Sequence, residues 1–208
     1  MSKSPRRALI LIDVQNEYVT GNLLIEYPDV RLSLRNIARA AEAAVAARIP
    51  IVVVQNTAPP TAPIFVKGTP GWELHPVVAA LPASHYVEKT LPSSFAGTDL
   101  AAWLKDNDIN VLTVAGYMTH NCVDSTIRHA VHDGWQVECL YDATGSLSYA
   151  NRTGKVSAEE IHKSFSVVLQ SRFAAVLNTD EWVEAVNSGK APERDNIVNS
   201  NQRARLVV

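Results

Sequence analysis

The segment INVLTVAGYMTHNC, residues 109–122, decides how this chain folds. Its first half, residues 109–115, is almost continuously apolar, which is typical of a strand buried on both faces of a parallel sheet. Its second half turns the chain into a helix that opens around Cys122. The segment therefore predicts a strand-to-helix turn that holds a thiol at the start of the helix.

Two acid–base residues stand at the ends of other strand-like runs. Asp13 follows the apolar run ALILI at residues 8–12, and Lys89 follows a short run at residues 85–88. Because the carboxyl ends of parallel strands line one crevice, we expect Asp13, Lys89 and Cys122 to meet there. Each residue alone also fits a turn residue, a solvated charge or a buried thiol. Together they indicate a nucleophile with its activators.

Strand-like and helix-like runs alternate along the chain, and this alternation predicts an α/β fold. Six strands separated by helices indicate a doubly wound, six-stranded parallel sheet in a three-layer αβα arrangement. The 208 residues fit a single domain, with a core at about 8–187 and a polar C-terminal arm or disordered terminus at 188–208. The expected connections include helices at 29–48, 73–81, 121–133 and 157–170, a proline-rich loop at 55–71, a polar loop at 142–154 and a last helix capped by Thr179 or Asp180.

Composition narrows the class of function. The chain is 47% hydrophobic and 19% charged, which is typical of a globular protein, and its formal charge of -2 predicts a small-molecule substrate and no nucleic-acid partner. No apolar run reaches the ~18 residues of a membrane span, so we expect no membrane partner and a cytoplasmic location. Cys122 and Cys139 form no metal-type or redox spacing, and Cys139 is expected to be a passive core residue. Neither a GxGxxG nor a P-loop sequence occurs, so no cofactor is expected.

A thiol reacts as its thiolate, and the predicted surroundings of Cys122 favour that anion. The N–H groups and dipole of a helix start, together with the Lys89 ammonium, are expected to lower the pKa of the thiol. Asp13 is expected to accept the thiol proton and to return it to a leaving amine. The same N–H groups can stabilise an oxyanion by about 3 kcal/mol per donor, which predicts acyl transfer through a thioester. A Cys–His pair with His120 is the alternative, although side chains two residues apart at a helix start point in different directions.

Three motifs taken together resemble the isochorismatase-like cysteine hydrolase superfamily. They are ALILIDVQNEY at residues 8–18, EKTLPSSFAGTDL at 88–100 and VLTVAGYMTHNCVDSTIRHA at 111–130, followed by YDA at 141–143. The likeness covers most of residues 8–180. It implies a catalytic triad in which Asp13 is the base, Lys89 the lysine and Cys122 the nucleophile.

The resemblance implies three further features. It implies a cis peptide bond between Tyr117 and Met118, and an oxyanion hole formed by the amides of Met118 and Cys122. It also implies a homo-oligomer, a dimer or larger.

Departures from the best-known members narrow the expected reaction. Nicotinamidases carry an Asp-x-His metal motif after the second strand, whereas QNTAP stands at residues 55–59, so no metal is expected. Isochorismatases proper typically lack the cysteine, so Cys122 favours metal-independent hydrolysis of a C–N bond in a small molecule. Vinyl ether hydrolysis, and a catalytically silent binding or assembly protein on the same fold, are the alternatives. The residues expected to wall the substrate pocket lie beyond strand ends or in loops: Tyr18, Gln55, Asn56, Trp72, Phe95, Tyr117, Thr119 and His120.

Overall fold

A six-stranded parallel sheet with helices on both faces forms the structure, which confirms the predicted α/β fold in a single domain. The computed structural model describes residues 5–206, so the first four and last two residues of the predicted domain and arm lie outside it. The strands are β1 Arg7–Ile12, β2 Ile51–Asn56, β3 His85–Lys89, β4 Val111–Tyr117, β5 Gln136–Gly145, β6 Tyr149–Asn151, β7 Gly154–Val156 and β8 Ala175–Leu177. The helices are α1 Val30–Ala46, α2 Pro76–Ala79, α3 Leu100–Asp106, α4 Asp124–His132, α5 Ala158–Arg172, α6 Thr179–Ser188 and α7 Ile197–Leu206.

The central strands are buried on both faces because their apolar residues serve two cores. Every residue of β1 and β4 is buried. Along β1, Leu9 and Leu11 pack into one core with residues of α1 and α6, whereas Ile10 and Ile12 pack into the other with residues of α3 and α4. A continuous apolar run is therefore what this sheet requires at its centre.

The strand order places a crevice between β1 and β4. The sheet runs β3-β2-β1-β4-β5-β8, so the chain builds outward from β1 to β3 and then returns to the other side of β1. Ligands of open α/β sheets bind beyond the carboxyl ends of the strands at such a reversal. The candidate residues at the carboxyl ends of β1, β3 and β4 lie at this edge.

Close approach of the two central strands depends on Gly116. The end of β4 pairs with the end of β1 through Gly116 and Ile12. Gly116 has a φ of 110°, and a Cβ added there would lie 2.0 Å from the carbonyl oxygen of Ile12. Glycine is required because it alone tolerates both this backbone conformation and this contact.

Two expected helices begin elsewhere than the sequence predicts. The helix expected at 73–81 is only α2, since Pro76 occupies its first turn and His75 caps it by accepting from the Val77 amide. The helix expected from residue 121 begins earlier, as a π-helical turn over Thr119–Val123 that leads directly into α4.

The prediction of a polar loop at residues 142–154 is largely wrong. Strand β5 continues to Gly145 after a register shift against β4, and the buried, small residues there fit tightly under Tyr117. Strands β6 and β7 then form an exposed antiparallel hairpin.

The predicted end of the chain also needs correction. The cap of α6 is Asn178, not Thr179 or Asp180, because Asn178 and Glu181 form a reciprocal capping box while the Thr179 hydroxyl donates to Asp142. The polar arm contains α7, a ten-residue helix with no buried residue. Within residues 5–206, no helix combines the length and apolarity that a membrane span requires.

The Gly116→Ala variant tests the close approach of β1 and β4. We expect its free energy of unfolding to fall by at least about 2 kcal/mol, because the new Cβ must displace the backbone of Ile12. Gly68→Ala is the matched control: Gly68 also has a positive φ, of 84°, but nothing lies within 4 Å of its added Cβ. The unfolding free energy of Gly68→Ala should fall by only about 1 kcal/mol. Urea denaturation measures both, and equal losses would contradict the steric argument.

Candidate active site

The three predicted residues meet at the crevice edge of the sheet. Asp13 follows β1, Lys89 is the last residue of β3, and Cys122 lies in the turn after β4. The Lys89 Nζ lies 2.7 Å from Asp13 Oδ2 and 3.2 Å from Cys122 Sγ. Both charged side chains are fully buried, so the ion pair and the thiol form a site shielded from solvent.

Asp13 is held in an uncommon conformation. Its φ of 50° lies in the left-handed region, where a residue with a side chain carries strain of about 1–2 kcal/mol. Its amide donates to Val54 and its carbonyl accepts from Gln15. Asp13 Oδ2 lies 2.7 Å from Lys89 Nζ, and the carboxylate also interacts with the Cys122 thiol. The carboxylate is therefore placed to take a proton from that thiol.

Burial sets the protonation of the site. Burial raises the pKa of Asp13, and the charge of Lys89 offsets part of that rise. Burial lowers the pKa of Lys89, but the charges of Asp13 and Cys122 outweigh it and the pKa is raised overall. The 2.7 Å contact thus favours the charged forms of both groups against the burial that disfavours them.

The thiol of Cys122 does not show the lowered pKa that the sequence predicted. Burial raises the pKa of Cys122 to about 12, the charge of Asp13 raises it further, and Lys89 lowers it only in part. The expectation of a lowered thiol pKa is therefore wrong. The helix start and the lysine are present, but the loss of solvent and the neighbouring carboxylate outweigh them.

The turn that carries Cys122 begins at a cis peptide bond between Tyr117 and Met118. The Met118 carbonyl accepts from the amides of Asn121 and Val123. Cys122 is the fourth residue of the turn, and the first N–H groups of a helix have no acceptor one turn earlier. The oxyanion hole at the amides of Met118 and Cys122 stays a prediction.

Gln15 positions the groups around Lys89, a role that the sequence reasoning missed. Its amide nitrogen donates to the carbonyls of Asn56, at 3.0 Å, and Trp72, at 2.7 Å, and its oxygen accepts from the Asn56 amide. Gln55 donates to the same Trp72 carbonyl. The Asn56 side chain in turn accepts from Lys89 at 3.4 Å. The glutamine two residues after Asp13 was visible in the first motif, but its partners are distant in sequence.

Three residues expected to wall the pocket have interior partners. The Tyr117 hydroxyl lies 2.7 Å from Ser33 Oγ, the Phe95 ring stacks on His129 and Trp135, and the Thr119 hydroxyl bonds Thr144 and His162. These partners account for their burial without a substrate.

Tyr18, His120 and Tyr149 each contact or belong to the segment at residues 117–122. Burial raises the pKa of Tyr18 well above its usual value, and the charges of Asp13 and Cys122 add to the rise. Burial and then the charge of Cys122 also raise the pKa of Tyr149, whose hydroxyl lies 3.0 Å from His120 Nε2. Tyr149 was missed because residues 142–154 were interpreted as a loop. Gly154, which opens the second short run after two intervening residues, is the signal that could have indicated a hairpin.

A separate cavity of about 630 Å³ opens between α1, α5 and the end of β5. Its lining includes Tyr27, Leu32, Tyr141 and Val167 but none of the three candidate catalytic residues. Within residues 5–206, no group of three or more His, Cys, Asp or Glu side chains is placed to hold a metal ion.

Comparison with known proteins gives one consistent family. The isochorismatase domain matches residues 7–181. A crystal structure described as an isochorismatase from Burkholderia xenovorans LB400 superposes with a TM-score of 0.96 at 64% identity, covering 98% of each chain. The uncharacterized isochorismatase family protein YddQ of Bacillus subtilis is 30% identical over 185 residues, 85% of this chain and 98% of that protein. Ureidoacrylate amidohydrolase RutB of Variovorax paradoxus is 26% identical over 211 residues, 86% of this chain and 80% of that protein.

Asp13→Asn tests the cause of the raised thiol pKa. Removal of the carboxylate charge while Lys89 stays should lower the pKa of Cys122, so iodoacetamide should alkylate it roughly tenfold or more faster at pH 8. The pH dependence of alkylation measures this, with the Cys122→Ala protein giving the background from Cys139. Asp106→Asn, at an exposed aspartate, is the control and should change nothing. An unchanged profile in Asp13→Asn would exclude the carboxylate as a cause.

Lys89→Met tests the buried ion pair. We expect a loss of about 3–5 kcal/mol in unfolding free energy, since Asp13 would be left buried without its partner charge. The pKa of Asp13 should rise further in this variant. Because only the ionised form of Asp13 loses its partner charge, the destabilisation should increase with pH and be larger at pH 8 than at pH 5.

Lys67→Met is the matched control for Lys89→Met. Lys67 pairs with Glu88 at 2.7 Å, but 61% and 46% of the two side chains are exposed, so its loss should cost at most about 1 kcal/mol. Denaturant unfolding at the two pH values measures both variants, and similar losses would argue against a strong buried pair.

Proposed function

The chain belongs to the isochorismatase family of hydrolases, and from that premise we propose that it is a metal-independent cysteine hydrolase of small amides. One observation carries the proposal. A buried ammonium contacts both a carboxylate and a thiol, at 2.7 Å and 3.2 Å. A relative named as an amidohydrolase supports a C–N bond as the bond that breaks.

The first step forms a carbon–sulfur bond. Asp13 removes the proton from Cys122, and the sulfur attacks the carbonyl carbon of the substrate amide. The carbonyl electron pair moves to the oxygen, and the amides of Met118 and Cys122 donate hydrogen bonds to it. The resting thiol suits this step because the proton that Asp13 takes is the one that the leaving group needs.

The second step breaks the carbon–nitrogen bond. As the oxyanion collapses, Asp13 returns its proton to the nitrogen, and ammonia or an amine leaves behind a thioester on Cys122. Asp13 then deprotonates a water molecule that attacks the thioester carbon. Collapse of this second intermediate releases the carboxylic acid and restores the thiol.

Lys89 stays protonated throughout the proposed cycle. Its raised pKa follows from the negative charges beside it, and it supplies the positive charge that offsets either the Asp13 carboxylate or the transient thiolate. The ammonium therefore keeps the net charge of the buried site nearly constant while one proton moves. A buried site needs this balance because an unpaired charge in it is costly.

The pocket is proposed to be walled by the half-buried or buried groups around the crevice. Tyr18, Gln55, Asn56, Trp72 and His120 keep this role as proposals. A small-molecule substrate, a homo-oligomer and a cytoplasmic location also remain predictions for this chain.

Cys122→Ala tests the proposal directly. In a panel of small amides assayed for ammonia release, the wild-type protein should turn over at least one compound, and Cys122→Ala should lose at least about 10³-fold in rate because no nucleophile remains. Cys139→Ala is the matched control, since Cys139 is equally a buried free thiol but lies in the core. It should keep its activity.

Two results would redirect the proposal. Amide turnover that survives in Cys122→Ala at the wild-type rate would exclude the thiol as nucleophile. Turnover of a vinyl ether such as isochorismate that survives in Cys122→Ala, without any amide turnover, would favour the vinyl ether hydrolase instead.

A further inference from the structure

We infer that Tyr149 contacts the substrate, donating a hydrogen bond to an acceptor oxygen that lies beside the scissile amide. The inference rests on the proposed function and adds a determinant of specificity to it. Hydrogen bonds link Ser146 to His120 and His120 to Tyr149 in one chain. The number of protons available to these three side chains fixes which partner donates in each bond.

The chain starts at Ser146, which is fully buried. The Ser146 backbone is already satisfied, since its amide donates to Tyr27 and its carbonyl accepts from Glu26 and Tyr27. Within residues 5–206, the hydroxyl has one hydrogen-bond partner, His120 Nδ1 at 3.1 Å. A buried hydroxyl proton without an acceptor costs about 1–3 kcal/mol, so Ser146 donates and His120 Nδ1 accepts.

The proton of His120 therefore lies on its other nitrogen. The imidazole is held by its neighbours, with the Tyr149 ring edge-on at 5.2 Å and the Phe165 ring at 6.0 Å. Burial lowers the pKa of His120, which is consistent with a neutral ring at neutral pH. With Nδ1 as acceptor, the neutral ring carries its proton on Nε2 and donates to the Tyr149 hydroxyl at 3.0 Å.

The Tyr149 hydroxyl consequently keeps its own proton available. Its oxygen accepts from His120, and residues 5–206 offer no second hydrogen-bond partner for it. Tyr149 opens the exposed β6–β7 hairpin and is itself 44% exposed, and its hydroxyl bonds His120, which lies in the same five-residue turn as Cys122. The hairpin thus presents one oriented donor to the site.

This donor selects for a chemical class of substrate. A carbonyl or carboxylate oxygen on the acyl side of the amide would accept from Tyr149, whereas an amide with only an alkyl chain would leave the donor unpaired. Sites built to hydrogen-bond a substrate group discriminate against analogues that lack it. The favoured substrate is therefore a small amide with a second oxygen function.

Nitrogen NMR tests the direction of the chain without any substrate. In protein labelled with [¹⁵N]histidine, the His120 resonances, assigned by their loss in His120→Gln, should show protonated Nε2 and unprotonated Nδ1. In Ser146→Ala this preference should weaken, because the donor to Nδ1 is gone. A wild-type His120 protonated on Nδ1 would overturn the inference, since Tyr149 would then have to donate to the histidine.

Substrate selectivity tests the role of Tyr149. The probes are succinamate and butyramide, which differ by a carboxylate in place of a methyl group, measured by how they protect Cys122 from iodoacetamide. In the wild-type protein succinamate should protect better, and in Tyr149→Phe its apparent dissociation constant should rise about tenfold while that of butyramide is unchanged. Tyr86→Phe, at an exposed tyrosine of β3, is the matched control and should leave both constants unchanged.

The outcomes separate the inference from the proposed function. Equal constants for succinamate in the wild-type protein and Tyr149→Phe, or equal weakening of both probes, would overturn the role of Tyr149. If the wild-type protein turns over no amide of the panel, the proposed function is overturned. The NMR result would still decide which side chains donate in the hydrogen bonds from Ser146 to Tyr149.

Discussion

The buried ion pair between Asp13 and Lys89 is the constraint on which the rest of the site depends. Two opposite charges without solvent are tolerable only if they remain together, and here they are anchored on β1 and β3, with β2 between them. The sheet therefore has to hold its three strands in strict register at their carboxyl ends. The parallel pairing that aligns Ile12 with Val54 and Asn56 with Lys89 meets that requirement.

Two further residues, Gly116 and Gln15, help to align the strand ends at the crevice. Gly116 lets β4 approach β1 closely enough to bring Cys122 beside the pair. Gln15 ties the end of β2 to the loop at Trp72, so the side chain of Asn56 stays within reach of Lys89. The fold thus contributes position, and the proposed chemistry moves one proton between Cys122 and Asp13 beside the charged Lys89.

Much of this could be predicted from the sequence, since an apolar run and the residues at its end are local signals. The runs before Asp13 and Cys122 marked both strands and their ends. The pKa of Cys122 could not be predicted in the same way, because it depends on how completely other elements remove water from the thiol. The hairpin at Tyr149 was hidden for a related reason: its residues are exposed, so no apolar period marks it. The cap of α6 was missed because the hydroxyl of Thr179 is bound by Asp142, a contact across the fold.

The protonated resting state of Cys122 bears on how the protein ages. A thiolate attacks peroxides and disulfides, and oxidation by peroxide passes from sulfenic to irreversible sulfinic and sulfonic acids. A thiol with its pKa raised to about 12 offers these oxidants almost no anion between turnovers. In the proposed cycle, Cys122 would be exposed to oxidation chiefly while a substrate occupies the crevice, when the carbonyl carbon competes for the same electrons.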